Sequence, residues 1–320
     1  MRAIILAGGF ATRLDPITRD RAKPLLPVGG RPIIDHLLDK SGLPKRPIIS
    51  TNSKFAPQFE QWAHESKSDA ELIIEPSSTE SEKLGTIGAL AHVVDECNLD
   101  EDVLVIAGDN IFGFDLRRFH ATYRGDILVA LFDVGDPDRI RNKYGAAIVQ
   151  GDRVVEFQEK PEVPKSSLAS TACYVYPRQV LHLFREYRRR VPMGGDAPGF
   201  FNEWCLRELE MNIDAFVFDS YWFDIGDRAS YLEAQRHFLG EDSHMRYGEA
   251  SIENSDVTGS FFLGNSVVRN SRITGCIVDT DCTLTNVHLA DCLVGRGSVL
   301  SGDAKSLAEA NLHQQTRSKL

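Results

Sequence analysis

Between Ser251 and Leu300 an aliphatic or aromatic residue returns every five or six positions: Ile252, Val257, Phe262, Val267, Ile273, Val278, Leu284, Leu289, Val294 and Val299. Asn, Ser, Thr, Gly, Asp and Cys fill the intervals, and helical periodicity is slight. A chain that turns one inward side chain per short strand onto a stack meets this pattern, which is that of a hexapeptide-type parallel β-helix. Ten such positions, at three per triangular coil, give about three coils, near the least that stacks stably. Cys276, Cys282 and Cys292 read as small packing residues of that stack. The polar stretch 303–320 reads as a capping helix or a frayed tail.

Upstream the texture differs. Arg2–Ala7, Ile48–Thr51, Glu71–Glu75, Val103–Ala107 and Ile127–Phe132 are short apolar runs that predict buried strands. Pro32–Lys40, Gln58–Glu65 and Thr86–Glu96 between them predict helices. The alternation implies a doubly wound α/β domain over 1–240, its sheet mostly parallel and covered on both faces. From Ala146 the pattern turns hairpin-like around Gly151-Asp152, which adds antiparallel strands to a mixed sheet. A chain of 320 residues accommodates this domain with a small second one, placed at 248–302.

A net charge of −10 argues against a nucleic-acid partner, which would call for a basic excess. No run approaches the length of a membrane span. The N-terminal apolar run reads as a strand, not a secretion signal. The six cysteines contain no C-x-x-C pair, so reduced thiols of a cytoplasmic protein are expected.

The richest stretch is LAGGFATRLDPITRDRAKPLLPVGGRP, residues 6–32. A buried strand ends in Gly8-Gly9, where backbone N–H groups can approach phosphate oxygens. Arg13 and Lys23 follow, two cations suited to holding a polyphosphate. The stretch contains neither a Walker loop nor the dinucleotide fingerprint. Asp109, in AGDNIF, stands at the C-terminal end of a strand, where open α/β sheets bind ligands. Its carboxylate is either a metal ligand or a helix N-cap. Arg188–Arg190 with Arg185 reads as a helix end whose cations complement the dipole, with a phosphate effector site as the other reading.

The string G-G-F-A-T-R-L-x-P-x-T…K-P-L-L-P-V resembles the signature of the sugar-phosphate nucleotidyltransferases, of the glucose-1-phosphate thymidylyl- and uridylyltransferase type. Ala11 stands where the family commonly has a third glycine. The resemblance covers 1–240 in order: LGTIGAL (84–90), AGDNIF (107–112), KYGAAIV (143–149), FQEKP (157–161), LASTACYVYP (168–177), GFFNEWCLREL (199–209) and YWFDIGD (221–227). Ala172 replaces a family glycine.

Carried over position by position, the resemblance places the nucleotide on Leu6, Gly8, Gly9, Arg13, Lys23, Gly85 and Thr86. It places the sugar phosphate beside Asn110, Gly145, Glu159, Lys160, Thr171, Tyr174 and Glu203. Asp109 and Asp224 would hold Mg²⁺, while Arg13, Lys23, Lys160 and Asp109 would carry the chemistry. The implied partners are an NTP and a sugar 1-phosphate, dTTP or UTP and glucose 1-phosphate ahead of GTP and mannose 1-phosphate. The resemblance also makes the β-helix left-handed and the place of homo-oligomer contact. Two other readings are an acyltransferase using the coils and His288, and an inactive sugar-nucleotide sensor.

Overall fold

The structure, a computed structural model, describes residues 1–42, 46–191, 197–240 and 250–302. The tail expected at 303–320 lies outside the described residues. The chain divides into two compact units: Met1–Gly9 with Ile34–Trp222, and Phe10–Ile33 with the chain from Phe223. The segment bearing Arg13 and Lys23 therefore groups with the C-terminal coils.

The first unit is built on a nine-stranded sheet. Its strands are β1 (Arg2–Leu6), β2 (Ile48–Asn52), β3 (Glu71–Glu75), β4 (Val103–Ala107), β5 (Ile127–Asp133), β6 (Gly145–Gln150), β7 (Arg153–Glu159), β8 (Leu168–Tyr176) and β9 (Ile213–Phe218). Their order is β3-β2-β1-β4-β8-β5-β9-β7-β6. Seven of the nine run the same way, and only β7 and β8 run against them. The Gly151-Asp152 hairpin forms as expected between β6 and β7.

The expected helices form as α1 (Ile33–Ser41), α2 (Ala56–Ser66) and α3 (Thr86–Glu96). They are followed by α4 (Leu116–Ala121), α5 (Leu181–Arg190), α6 (Pro198–Arg207) and α7 (Arg228–Leu239). Ile4, Val105 and Val129 of the sheet share a core with Leu90 of α3, Phe184 of α5 and Phe201 of α6. The nearly unbroken burial of Val103–Ile106 reflects a strand covered on both faces. No described helix is long and apolar enough to cross a membrane.

The chain leaves β1 for β2 and β3 on one side, then returns to β4 on the other. That reversal creates a crevice at the carboxyl ends of β1 and β4. Gly8-Gly9 follows β1 and Asp109 follows β4, and Gly108 N donates to Leu6 O at 2.8 Å across the pair.

In the second unit, residues 251–301 form three parallel sheets of four, three and three short strands, which fit a β-helix. Ser251, Val267, Thr283 and Val299 stand in register, so one coil takes 16 residues. Three hexapeptides would need 18, so the repeat is five, five and six. This corrects two inward positions. Val268 is fully buried and Leu300 packs on the coil core, while Val267 is only partly buried and Val299 is 74% exposed.

The corners explain the small polar residues. Asn254, Asn270 and Asn286 have left-handed φ of 47°, 48° and 54°, which asparagine tolerates better than most residues. Serines bond to the coil above: Ser255 Oγ accepts from Ser271 N, Ser260 Oγ from Cys276 N, and Ser266 Oγ from Cys282 N. All six cysteines are free thiols.

Candidate active site

The first unit contains Leu6, Gly8, Gly9, Gly85, Thr86, Asp109, Asn110, Gly145, Glu159, Lys160, Thr171, Tyr174 and Glu203. Arg13, Lys23 and Asp224 belong to the second.

Gly8 is fixed by what lies against it. A Cβ there would come within 2.6 Å of Glu75 Oε1, so only glycine leaves the carboxylate in place. Glu75 ends β3 and is 3% exposed. Burial raises its pKa, opposed by hydrogen bonds from Ser50 and the Leu84 backbone and by the charge of His92. Glu75 thus joins the Gly8 turn to the start of LGTIGAL. In the sequence Glu75 is only the end of the strand Glu71–Glu75, and the signal it offers is a carboxylate closing an apolar run. Asn52 Nδ2 adds a hydrogen bond to Gly8 O at 2.9 Å. At Gly9 a Cβ would meet nothing within 4 Å.

LGTIGAL forms the N-cap and first turns of α3, with Gly85 at the cap and Thr86 opening the helix. Arg188 packs over its second glycine, its Nε 3.2 Å from where a Gly88 Cβ would stand. Its neighbours on α5 are paired within the protein, Arg185 with Asp95 and Arg190 with Glu186.

Asp109 is not a helix N-cap, because the short strand Asn110–Phe112 follows it directly. Its carboxylate is held instead by a relay. Trp222 Nε1 donates to Asn110 Oδ1 at 2.7 Å, and Asn110 Nδ2 donates to Asp109 Oδ1 at 2.7 Å. Asn110 is 3% exposed, so its amide serves this relay.

Glu159 closes β7 and packs against the N-terminal turn of α6. A Cβ at Gly199 would lie 1.7 Å from Glu159 Oε2, and one at Gly145 would lie 2.9 Å from it. Burial pushes the Glu159 carboxyl up to about 7, with Lys160 opposing and Glu203 adding to the rise. Lys160 is exposed, at a left-handed φ of 46°, and its N–H donates to Tyr144 O at 3.1 Å.

Thr171 is buried, and its hydroxyl donates to Ala130 O at 3.0 Å, inside the sheet. The Tyr174 hydroxyl shares a 3.0 Å hydrogen bond with Ser170. Ala172 between them has φ 53°, where the register of β8 against β5 shifts. Glu203 pairs with Arg207 at 2.8 Å.

In the second unit Arg13 follows Ala11, itself at φ 54°. Arg13 is exposed and makes no ion pair among the described residues. It comes near Asp224 around Gly226: a Cβ there would lie 3.5 Å from Asp224 Oδ2 and 3.6 Å from Arg13 Nη2. Lys23 is only 8% exposed and opens a short 3₁₀ turn, Lys23–Leu25, with Pro24 at its second position.

The α/β sheet thus carries a glycine turn after β1 and an oriented carboxylate after the neighbouring β4. The chain belongs to the nucleotidyl transferase family, whose model matches residues 2–241. It is 32% identical over 236 residues to a mannose-1-phosphate guanylyltransferase of Mycobacterium tuberculosis, covering 72% of this chain and 62% of that protein. It is 31% identical over 267 residues to a glucose-1-phosphate adenylyltransferase of Thermomicrobium roseum, covering 76% and 60%. The chain thus matches about three fifths of the length of these two relatives. A Bacillus anthracis structure assigned as a glucose-1-phosphate thymidylyltransferase, solved with a sucrose, superposes with a TM-score of 0.60 at 26% identity. That likeness covers 77% of this chain and 97% of the other, and supports the nucleotidyltransferase-type α/β fold.

Proposed function

We propose that this protein transfers a nucleotidyl group from an NTP to a sugar 1-phosphate, releasing pyrophosphate. The observation that carries the reading is the pairing of Gly8-Gly9 after β1 with the relay-held Asp109 after β4, at the point where strand order reverses.

The sugar phosphate attacks the α-phosphorus in line with the leaving pyrophosphate. It is already ionised near neutral pH, so the step needs positioning and charge neutralisation more than a general base. Arg13 and Lys23 are the cations for the triphosphate, and Lys160 neutralises the sugar phosphate. Glu159, once ionised, accepts hydrogen bonds from sugar hydroxyls. Asp109 and Asp224 offer hard carboxylate oxygens, the donor chemistry of Mg²⁺. Bound, that ion supplies charge neutralisation on the phosphates.

The sequence motifs favour dTTP or UTP with glucose 1-phosphate. The 32% identity to a guanylyltransferase supports GTP with mannose 1-phosphate as the second pair. The coils are assigned to left-handed winding and to contact between copies. Acyl transfer is disfavoured because the 16-residue register runs unbroken from Ser251 to Ser301.

The test is pyrophosphate release with Mg²⁺ across five NTPs and four sugar 1-phosphates. A sugar-dependent signal establishes the class and its strongest combination names the substrates. A blank grid from folded protein defeats the reading.

A further inference from the structure

The second unit joins two stretches far apart in sequence: Phe10–Ile33 and the chain from Phe223. What joins them is specific. Arg21 Nη1 lies 3.1 Å from Asp279 Oδ1. The Asp279 side chain is 3% exposed and that of Arg21 24%. Asp279 sits in the coil stack just after the strand Ile277–Val278, and its place there is rigid. Its N–H donates to Val294 O at 2.9 Å, its carbonyl accepts from Ser266 Oγ at 3.1 Å, and its carboxylate accepts from Thr280 N at 2.8 Å.

Six residues further along the N-terminal stretch a second anchor appears. Pro27 O accepts from Tyr231 Oη and from Gln235 Nε2, both at 2.7 Å, and Gly29 N donates to Gln235 Oε1 at 3.2 Å. Between the anchors lies Lys23, two residues from Arg21. Ala22, Leu26 and Val28 are fully buried, so the segment has little slack. A buried carboxylate costs desolvation, offset here by the Thr280 N–H and by Arg21. A purely structural stack could have used an apolar residue there. Its partner is the arginine beside the proposed phosphate cation.

We infer that Asp279 is a positioning residue for Lys23, acting through Arg21, so that the coil stack sets the aim of a lysine 256 residues earlier in the chain. The role of Lys23 on the triphosphate rests on the function proposed above; the positioning itself does not.

Two readouts separate the claims. The first needs no turnover: acetylation of Lys23 by acetic anhydride, followed by peptide mass spectrometry, with exposed Lys165 as internal control. R21M and D279N should speed Lys23 labelling severalfold and leave Lys165 unchanged, and R21K should stay closer to the wild type. The second readout is kinetic. In both variants kcat/KM for the NTP should fall roughly tenfold to a hundredfold, the scale of a small misplacement, with KM for the sugar phosphate little changed. The double variant should lose no more than either single one, as expected for groups acting as one unit. Wild-type labelling and kinetics in R21M and D279N would overturn the inference, as would losses that simply add. Faster Lys23 labelling in a protein without turnover would uphold the positioning and defeat the functional reading instead.

Discussion

Gly199 meets Glu159 so closely that a single methyl group on the glycine would stand 1.7 Å from the carboxylate oxygen. The α6 N-terminus therefore holds Glu159 as long as residue 199 has no side chain. Gly199→Ala should displace the carboxylate and raise KM for the sugar phosphate about tenfold. NTP binding, followed by thermal shift, should change little. Equal loss for both substrates would remove Glu159 from the sugar side.

The titration of Glu159 gives a pH prediction with a definite sign. Its folded pKa of about 7 lies above the ordinary value of 4.5. The folded state therefore holds the proton more tightly, and this group's contribution to stability falls as pH rises from about 4.5 to 7. Glu159→Gln should thus be more stable than the wild type at pH 8, by up to about 3 kcal/mol. On the proposed function sugar binding should run the other way, because an ionised Glu159 would accept hydrogen bonds from the sugar hydroxyls. KM for the sugar phosphate should rise as pH falls through 7, and the Gln variant should lose the part of that slope due to Glu159. A wild-type slope in the variant would assign it to the substrate phosphate alone.

Trp222 reaches Asp109 through Asn110, which makes the indole a distant control on the carboxylate. Trp222→Phe keeps the ring but leaves Asn110 Oδ1 without its donor. The Mg²⁺ concentration for half-maximal rate should rise roughly tenfold, the usual cost of losing a partner behind a ligand. Asp109→Asn should abolish turnover at any Mg²⁺ concentration. An unchanged Mg²⁺ dependence in Trp222→Phe would mean that Asn110 holds its position unaided.

Ala11 and Ala172 sit at φ 54° and 53°, a region that favours glycine. Replacing either with glycine should stabilise the protein by about 0.5 kcal/mol, strain relief outweighing the added freedom of the unfolded chain. Ala63→Gly, inside α2, should instead cost about 1 kcal/mol. Urea unfolding of the three variants checks the contrast; equal losses would show that neither loop alanine is strained.

These two alanines also show how far the sequence could be read. Both are departures from a glycine pattern in the sequence, but a departure says nothing of φ until the backbone is seen. The strands of the first unit were legible because each is an apolar run closed by polar residues. Asp109 was legible as a residue at a strand end, and its hold by Trp222 was not, because 112 residues separate the partners of the hydrogen bond. Glu75 and Gly199 were hidden for a related reason: what matters in each is proximity to a residue remote in sequence. In the coils, Val267-Val268 and Val299-Leu300 offered two apolar residues side by side, and the place of the six-residue step could not be told from hydrophobicity. The spacing of Asn254, Asn270 and Asn286 carries the answer, because a left-handed corner must recur once per coil.

A coil of 16 residues makes the length of the C-terminal stack a quantised property. The inward side chains and the asparagine corners repeat in that unit, so one coil can be lost or copied with its neighbours still in phase. A single residue inserted within one of the short strands would turn its inward side chain outward, because successive side chains point to opposite faces. The regular part of the stack therefore gains or loses coils only in whole steps, with the coils flanking Asp279 held by what they are proposed to carry for the N-terminal segment.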